Sequence, residues 1–142
     1  MSKMKQSTGE DYPEAAKKHL RDAKELLKRS RYDGPAYLSG YVVECTLKTM
    51  IQVEIGSPKR THKLSDLKGN VLSLAALSGA KTARYALPKG HWQLLSSRSG
   101  WNTLIRYSPA GSISQAKSKE WLKEADTIYN SVVVPMRLDG VI

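Results

Sequence analysis

The run PAYLSGYVVECTLKTMIQVE, residues 35–54, decides the fold. At helical period, Tyr37, Leu38, Tyr41, Val42, Val43, Cys45, Leu47, Met50, Ile51 and Val53 cover most of the circumference. A helix apolar nearly all round must be enclosed by neighbours or by a second protomer, so this segment is expected to be the central rod of a helical domain. Two charges interrupt it. Glu44 and Lys48 stand four residues apart, in line with Tyr37 and Tyr41, and can pair on one face. An unpaired buried charge is costly, so the two either satisfy each other at an interface or line a site.

On the N-terminal side, Pro13 suits a first helical turn, and Ala16, Leu20, Ala23 and Leu27 build one apolar stripe after it. His19 lies beside that stripe and reads as a helix-surface residue. RYDGP, residues 31–35, should end the first helix at Gly34 and start the second at Pro35. On the C-terminal side, IGSPKRTHK reads as a loop. Leu64, Leu67, Val71 and Leu74 then step through a third helix with Asp66 in its first turn and Gly79 at its end.

Residues 79–111 have no sustained period and hold Pro88, Gly90, Gly100, Pro109 and Gly111, which predicts a long irregular connection with a short helical turn in HWQLL. Ser112 and Gln115 have capping-box spacing. Ala116, Leu122, Ala125, Ile128, Tyr129 and Val132 then form the apolar face of a last helix, with Trp121 packed beside it and Pro135 ending it. The expected fold is all-α: an antiparallel four-to-five-helix bundle with a long irregular connection before the last helix. Residues 1–11 are expected as a disordered tail, 12–134 as the bundle and 135–142 as a C-terminal tail.

The chain of 142 residues carries a formal net charge of +10, and the charge is localised. Residues 57–106 hold nine Lys or Arg against Asp66 alone, a net +8 of the total. Concentrated positive charge attracts polyanions through phosphate contacts and counterion release. The plainer reading is a solvated, solubilising surface. Cys45, the single cysteine, makes no internal bridge and reads as a core thiol in a reducing compartment. No run approaches the roughly 18 apolar residues of a membrane span, and MSKMKQSTGED lacks a signal peptide's apolar stretch, so a soluble cytoplasmic protein is expected. Neither a phosphate-binding glycine loop nor Cys/His metal spacing is present, so no cofactor and no metal are expected.

Four landmarks resemble the HEPN family of small helical-bundle domains. They are the opening helix running through RYDGPAYLSGY into the second; Glu44, Leu47 and Lys48 in YVVECTLK; THKL, residues 61–64, with His62; and RYSP, residues 106–109, before the last helix. The resemblance spans roughly residues 12–134. It implies a helical bundle, commonly a homodimer, in a family of RNA-cleaving or RNA-binding proteins. Many members serve toxin–antitoxin or defence systems beside a minimal nucleotidyltransferase partner. Active members use an Arg and a His with four to six residues between them, and RYALPKGH, residues 84–91, with six between, offers Arg84 and His91 as a candidate catalytic pair. A His can move the ribose 2′-hydroxyl proton while an Arg stabilises phosphoryl charge. Pro88 and Gly90 prevent one helix from carrying both side chains, so the stretch also reads as an ordinary basic loop. Lys81, Arg84, Lys89, Arg98, Arg106 and Tyr107 are the candidate RNA contacts. The reading is an RNA-binding protein or ribonuclease; its alternative is a non-catalytic dimeric module that docks a nucleotidyltransferase or another protein.

Overall fold

The computed structural model describes residues 2–57, 59–90, 92–96, 98 and 100–142. Among the described residues there are four α-helices: α1 (Tyr12–Lys28), α2 (Asp33–Ile55), α3 (Leu64–Ala75) and α4 (Gln115–Leu138). Two short 3-10 turns, Ala83–Tyr85 and Thr103–Tyr107, lie between α3 and α4. Among the described residues there is no strand. The all-α bundle expected from the sequence is therefore the observed one.

Asp11 starts α1 by accepting the Glu14 amide at 3.3 Å, and the turn at residues 29–32 folds α2 back along α1. The turn is sharper than RYDGP suggested. Ser30 takes a left-handed conformation (φ 56°) and Gly34 lies inside α2, so the break precedes Asp33 rather than falling at Gly34. The Asp33 carboxylate accepts the amides of Gly111 and Ile113, which anchors the approach to α4 at the start of α2.

The central position of α2 follows from its composition. It packs against α1, α3 and α4, and Ala36, Val42, Val43, Leu47 and Ile51 are wholly buried. Enclosing side chains of this size stabilises by about 1.5–3 kcal/mol each for the larger ones. Glycine is required at one point on it. A Cβ on Gly40 would stand 1.6 Å from the Trp101 ring, so the indole seats directly on the α2 backbone.

Other boundaries differ from the sequence reading. Ser114, not Ser112, caps α4 by accepting the Lys117 amide. Pro135 does not end α4, which runs on to Leu138 because Met136 is wholly buried and Arg137 pairs with Glu14 at 2.8 Å. α3 stops at Ala75, before Gly79. Residues 2–11, expected as a disordered tail, make specific contacts: the Ser2 hydroxyl donates to Asp11, Gln52 donates to the Met4 carbonyl, and Lys3 reaches the Gly140 carbonyl. The final residues likewise pack onto the bundle, with Ile142 buried.

The long connection between α3 and α4 is irregular but moored. The buried Glu124 carboxylate accepts the amides of Gln93 and Leu94 at 2.9 and 3.0 Å, while Gln93 bridges Glu120 and the Trp121 indole. Tyr85, Leu94, Leu95 and Trp101 are buried in the core. Residues 93–96 form a turn, in keeping with the one expected in HWQLL.

Candidate functional site

Spacings of four, three and four place Tyr37, Tyr41, Glu44 and Lys48 in one row along α2. The row is hydrogen-bonded at both ends. The Tyr37 hydroxyl donates to that of Tyr41 at 3.0 Å, and the Lys48 ammonium donates to Glu44 Oε1 at 2.8 Å. Glu44 and Lys48 are 3% and 4% exposed, so this pair is desolvated and each charge depends on the other. Lys48 also lies 5.4 Å from the centre of the Tyr12 ring.

Three other segments converge on the row. His62, two residues ahead of α3, brings Nδ1 to 2.8 Å from Glu44 Oε1, while its side chain remains 62% exposed. A carboxylate only accepts, so in the neutral imidazole this contact places the hydrogen on Nδ1 and leaves Nε2 as the basic nitrogen. Glu44 Oε2 is buried and accepts no hydrogen bond from the described residues. Trp101 stands edge-on to Tyr41 at 5.5 Å and donates its indole hydrogen to the Tyr37 carbonyl. His19 packs against Tyr41 from α1 at 5.7 Å; burial and then Lys18 lower its pKa, which favours the neutral ring. Burial and the Tyr37 hydrogen bond push the Tyr41 phenol well up, so it stays protonated. Burial, then Glu44, pushes the Cys45 thiol up to about 12.

A cleft of about 510 Å³ opens beside His62, between residues 61–65 on one side and Leu94, Ser96 and residues 100–103 on the other. No side chain caps α3 here, and Leu64 and Ser65 of its first turn line the cleft. Through Ser65 and Ser96 the cleft adjoins a second hollow of about 640 Å³ bordered by Lys68, Trp92 and Gln93.

The sequence-derived candidates divide between the row and the outer surface. Lys81, Arg84, Lys89, Arg98, Arg106 and Tyr107 are all exposed. Arg106 lies with its guanidinium 4.9 Å from the Tyr107 ring and shares a hollow with Tyr37; Tyr37, then Tyr107, raise its pKa, so it stands beside the row. Arg84 points to the end of α4, where Asp139 lies 3.3 Å away and also accepts the Tyr85 hydroxyl at 2.6 Å. His91, its candidate partner, lies outside the described residues. Leu47 is core. Glu44, Lys48 and His62 are brought together, although the sequence marked His62 only as part of the THKL landmark. Its position just ahead of a helix, after a helix bearing Glu44, was the available signal. Glu124 was missed altogether, although an acid amid the apolar spacing of Trp121, Leu122, Ala125 and Ile128 marks it.

A family model described as HEPN domain matches residues 10–134. The chain belongs to the HEPN family. Its Glu44, Lys48 and His62, the landmarks that suggested the resemblance, are thus the polar centre of a HEPN bundle. HEPN domains serve in RNA cleavage, RNA binding or nucleotide-related functions, and they often dimerise. No curated protein and no solved structure matches the chain. Among the described residues, no helix of this HEPN domain is long and apolar enough to cross a membrane, and no three His, Cys, Asp or Glu converge as a metal site.

Proposed function

We propose that this HEPN domain binds single-stranded RNA through the cationic surface of residues 57–106, as a homodimeric ribonuclease or RNA-binding component of a cytoplasmic toxin–antitoxin or defence system in a prokaryote. One observation supports it above the rest: of the nine Lys and Arg in that segment, all but Lys68 are exposed, with Asp66 the only acid among them. Charge of one sign on one segment, bordered by exposed Tyr107 and half-buried Trp92, supplies both phosphate contacts and stacking surfaces. In this reading Arg84 and His91 remain the family-type catalytic pair, and Lys81, Lys89, Arg98, Arg106 and Tyr107 hold the strand.

The test is retention of a labelled oligoribonucleotide across a salt series. Replacing Lys81, Lys89, Arg98 and Arg106 together by Ala should weaken binding at least tenfold and flatten the salt dependence by about 0.7 per lost contact. Unchanged affinity rejects the surface.

A second reading, a non-catalytic docking module, is favoured by a hollow of about 630 Å³ between α1 and α4. Leu20, Leu27, Leu122 and Tyr129 line it, with Lys17, Arg21, Lys24 and Lys28 around them against Glu25. This chemistry suits an acidic amphipathic helix, such as a nucleotidyltransferase-type partner could present. A purified domain that neither retains nor cuts RNA at moderate salt decides for that reading.

A further inference from the structure

We infer that His62 is a general base for RNA cleavage in this domain, oriented by the buried Glu44 carboxylate and separate from the Arg84 and His91 pair. The inference rests on the RNA-binding reading and deepens it by naming the site at which the strand would react. Three observations carry it. His62 is an exposed imidazole whose Nδ1 is fixed, at 2.8 Å, by a carboxylate that is itself 3% exposed. That carboxylate is held by Lys48 on the same oxygen and keeps a buried Oε2 that accepts no hydrogen bond from the described residues. His62 borders a cleft of about 510 Å³ that also has Lys63 and the uncapped first turn of α3 on its wall.

The arrangement follows the logic of an oriented catalytic imidazole. A buried acceptor sets the tautomer and ring plane, so Nε2 carries the lone pair on an imidazole that lines the cleft. A phosphodiester placed against Lys63 and the amides of Leu64 and Ser65 meets positive charge and free donors. Nε2 then takes the proton of the adjacent ribose 2′-hydroxyl while the 2′-oxygen bonds to phosphorus. The bond from phosphorus to the 5′-oxygen breaks, and that oxygen takes a proton from solvent. Imidazolium returns its own proton to solvent, leaving a 2′,3′-cyclic phosphate and a 5′-hydroxyl. No oxidant or second substrate is required. Glu44 touches no reacting atom and is a positioning residue; Lys48 compensates its charge.

The experiment follows cleavage of a single-stranded oligoribonucleotide by the full chain and its variants, with binding measured on the same strand. His62→Gln, at an exposed position, should lower kcat by about 100-fold or more while leaving affinity within about threefold. Glu44→Gln should lower kcat by roughly tenfold with KM unchanged. Nitrogen-15 shifts of His62 should report the Nδ1–H tautomer in the parent protein and a mixture in Glu44→Gln, a change that loss of stability alone does not produce. Full activity in His62→Gln, or activity lost only in His91→Ala, overturns the inference and leaves RNA binding standing. A parent protein that binds RNA without cutting it also overturns the inference. Loss of RNA binding in the parent protein instead removes the reading beneath it.

Discussion

The row on α2 and the RYALPKGH stretch contain the same kinds of residue, yet the fold treats them differently. In the row, Glu44, Lys48 and His62 meet at two contacts of 2.8 Å, two of the three side chains buried on one rigid helix. In RYALPKGH, Arg84 leaves a 3-10 turn with its side chain exposed and commits its guanidinium to Asp139. Spacing along the chain is therefore a weak guide to a site. What positions a group is a helix period that repeats it on one face together with a partner from a distant segment that holds it there.

The contrast can be broken most directly at Lys48. Lys48→Met strands the buried Glu44 carboxylate and should cost about 3–5 kcal/mol in urea titration. Adding Glu44→Gln should recover most of that loss, because the pair then goes as a unit. A cost below about 1 kcal/mol for the single change would make the row no more committed than an exposed ion pair. At Gly40 the effect should be smaller. Ala gains up to about 1 kcal/mol in helix preference, but its methyl meets Trp101 at 1.6 Å and displaces the ring. Overpacking of this kind costs about 1–3 kcal/mol, with a net loss of stability and faster exchange of the Trp101 indole hydrogen. Smallest of all should be Arg84→Ala. Its ion pair with Asp139 is 70% exposed on the Arg side, so the same titration should move by less than about 1 kcal/mol. A large loss there would place Arg84 among the structural charges and erase the contrast.

The legible parts of the sequence were those set by local periodicity. The central helix was visible because burial on all sides leaves an apolar composition that no exposed helix shows, and the Glu44 to Lys48 pairing was visible because a spacing of four brings them together on any helix. Boundaries depended on longer reach. Pro135 is a local terminator, overruled by the burial of Met136 and the pairing of Arg137 with Glu14. The opening residues look like solvent-loving tail, yet their hydrogen bonds run to Asp11, Gln52 and Gly140. His62 was recognisable as a residue of interest, but its partner is 18 positions away and carries no local trace. The same holds for Glu124, whose carboxylate meets Gln93 and Leu94 from 31 and 30 positions away and gives an aperiodic connection a defined path.

The enclosed thiol of Cys45 has a practical consequence. It is the only cysteine in the chain, and its high pKa keeps it in the unreactive protonated form at neutral pH. A cysteine introduced on the rim of the cleft would thus be the sole group to take a maleimide dye or a spin probe. Two such cysteines, one on each side, would let distances across that opening be followed by spectroscopy on an otherwise unaltered background.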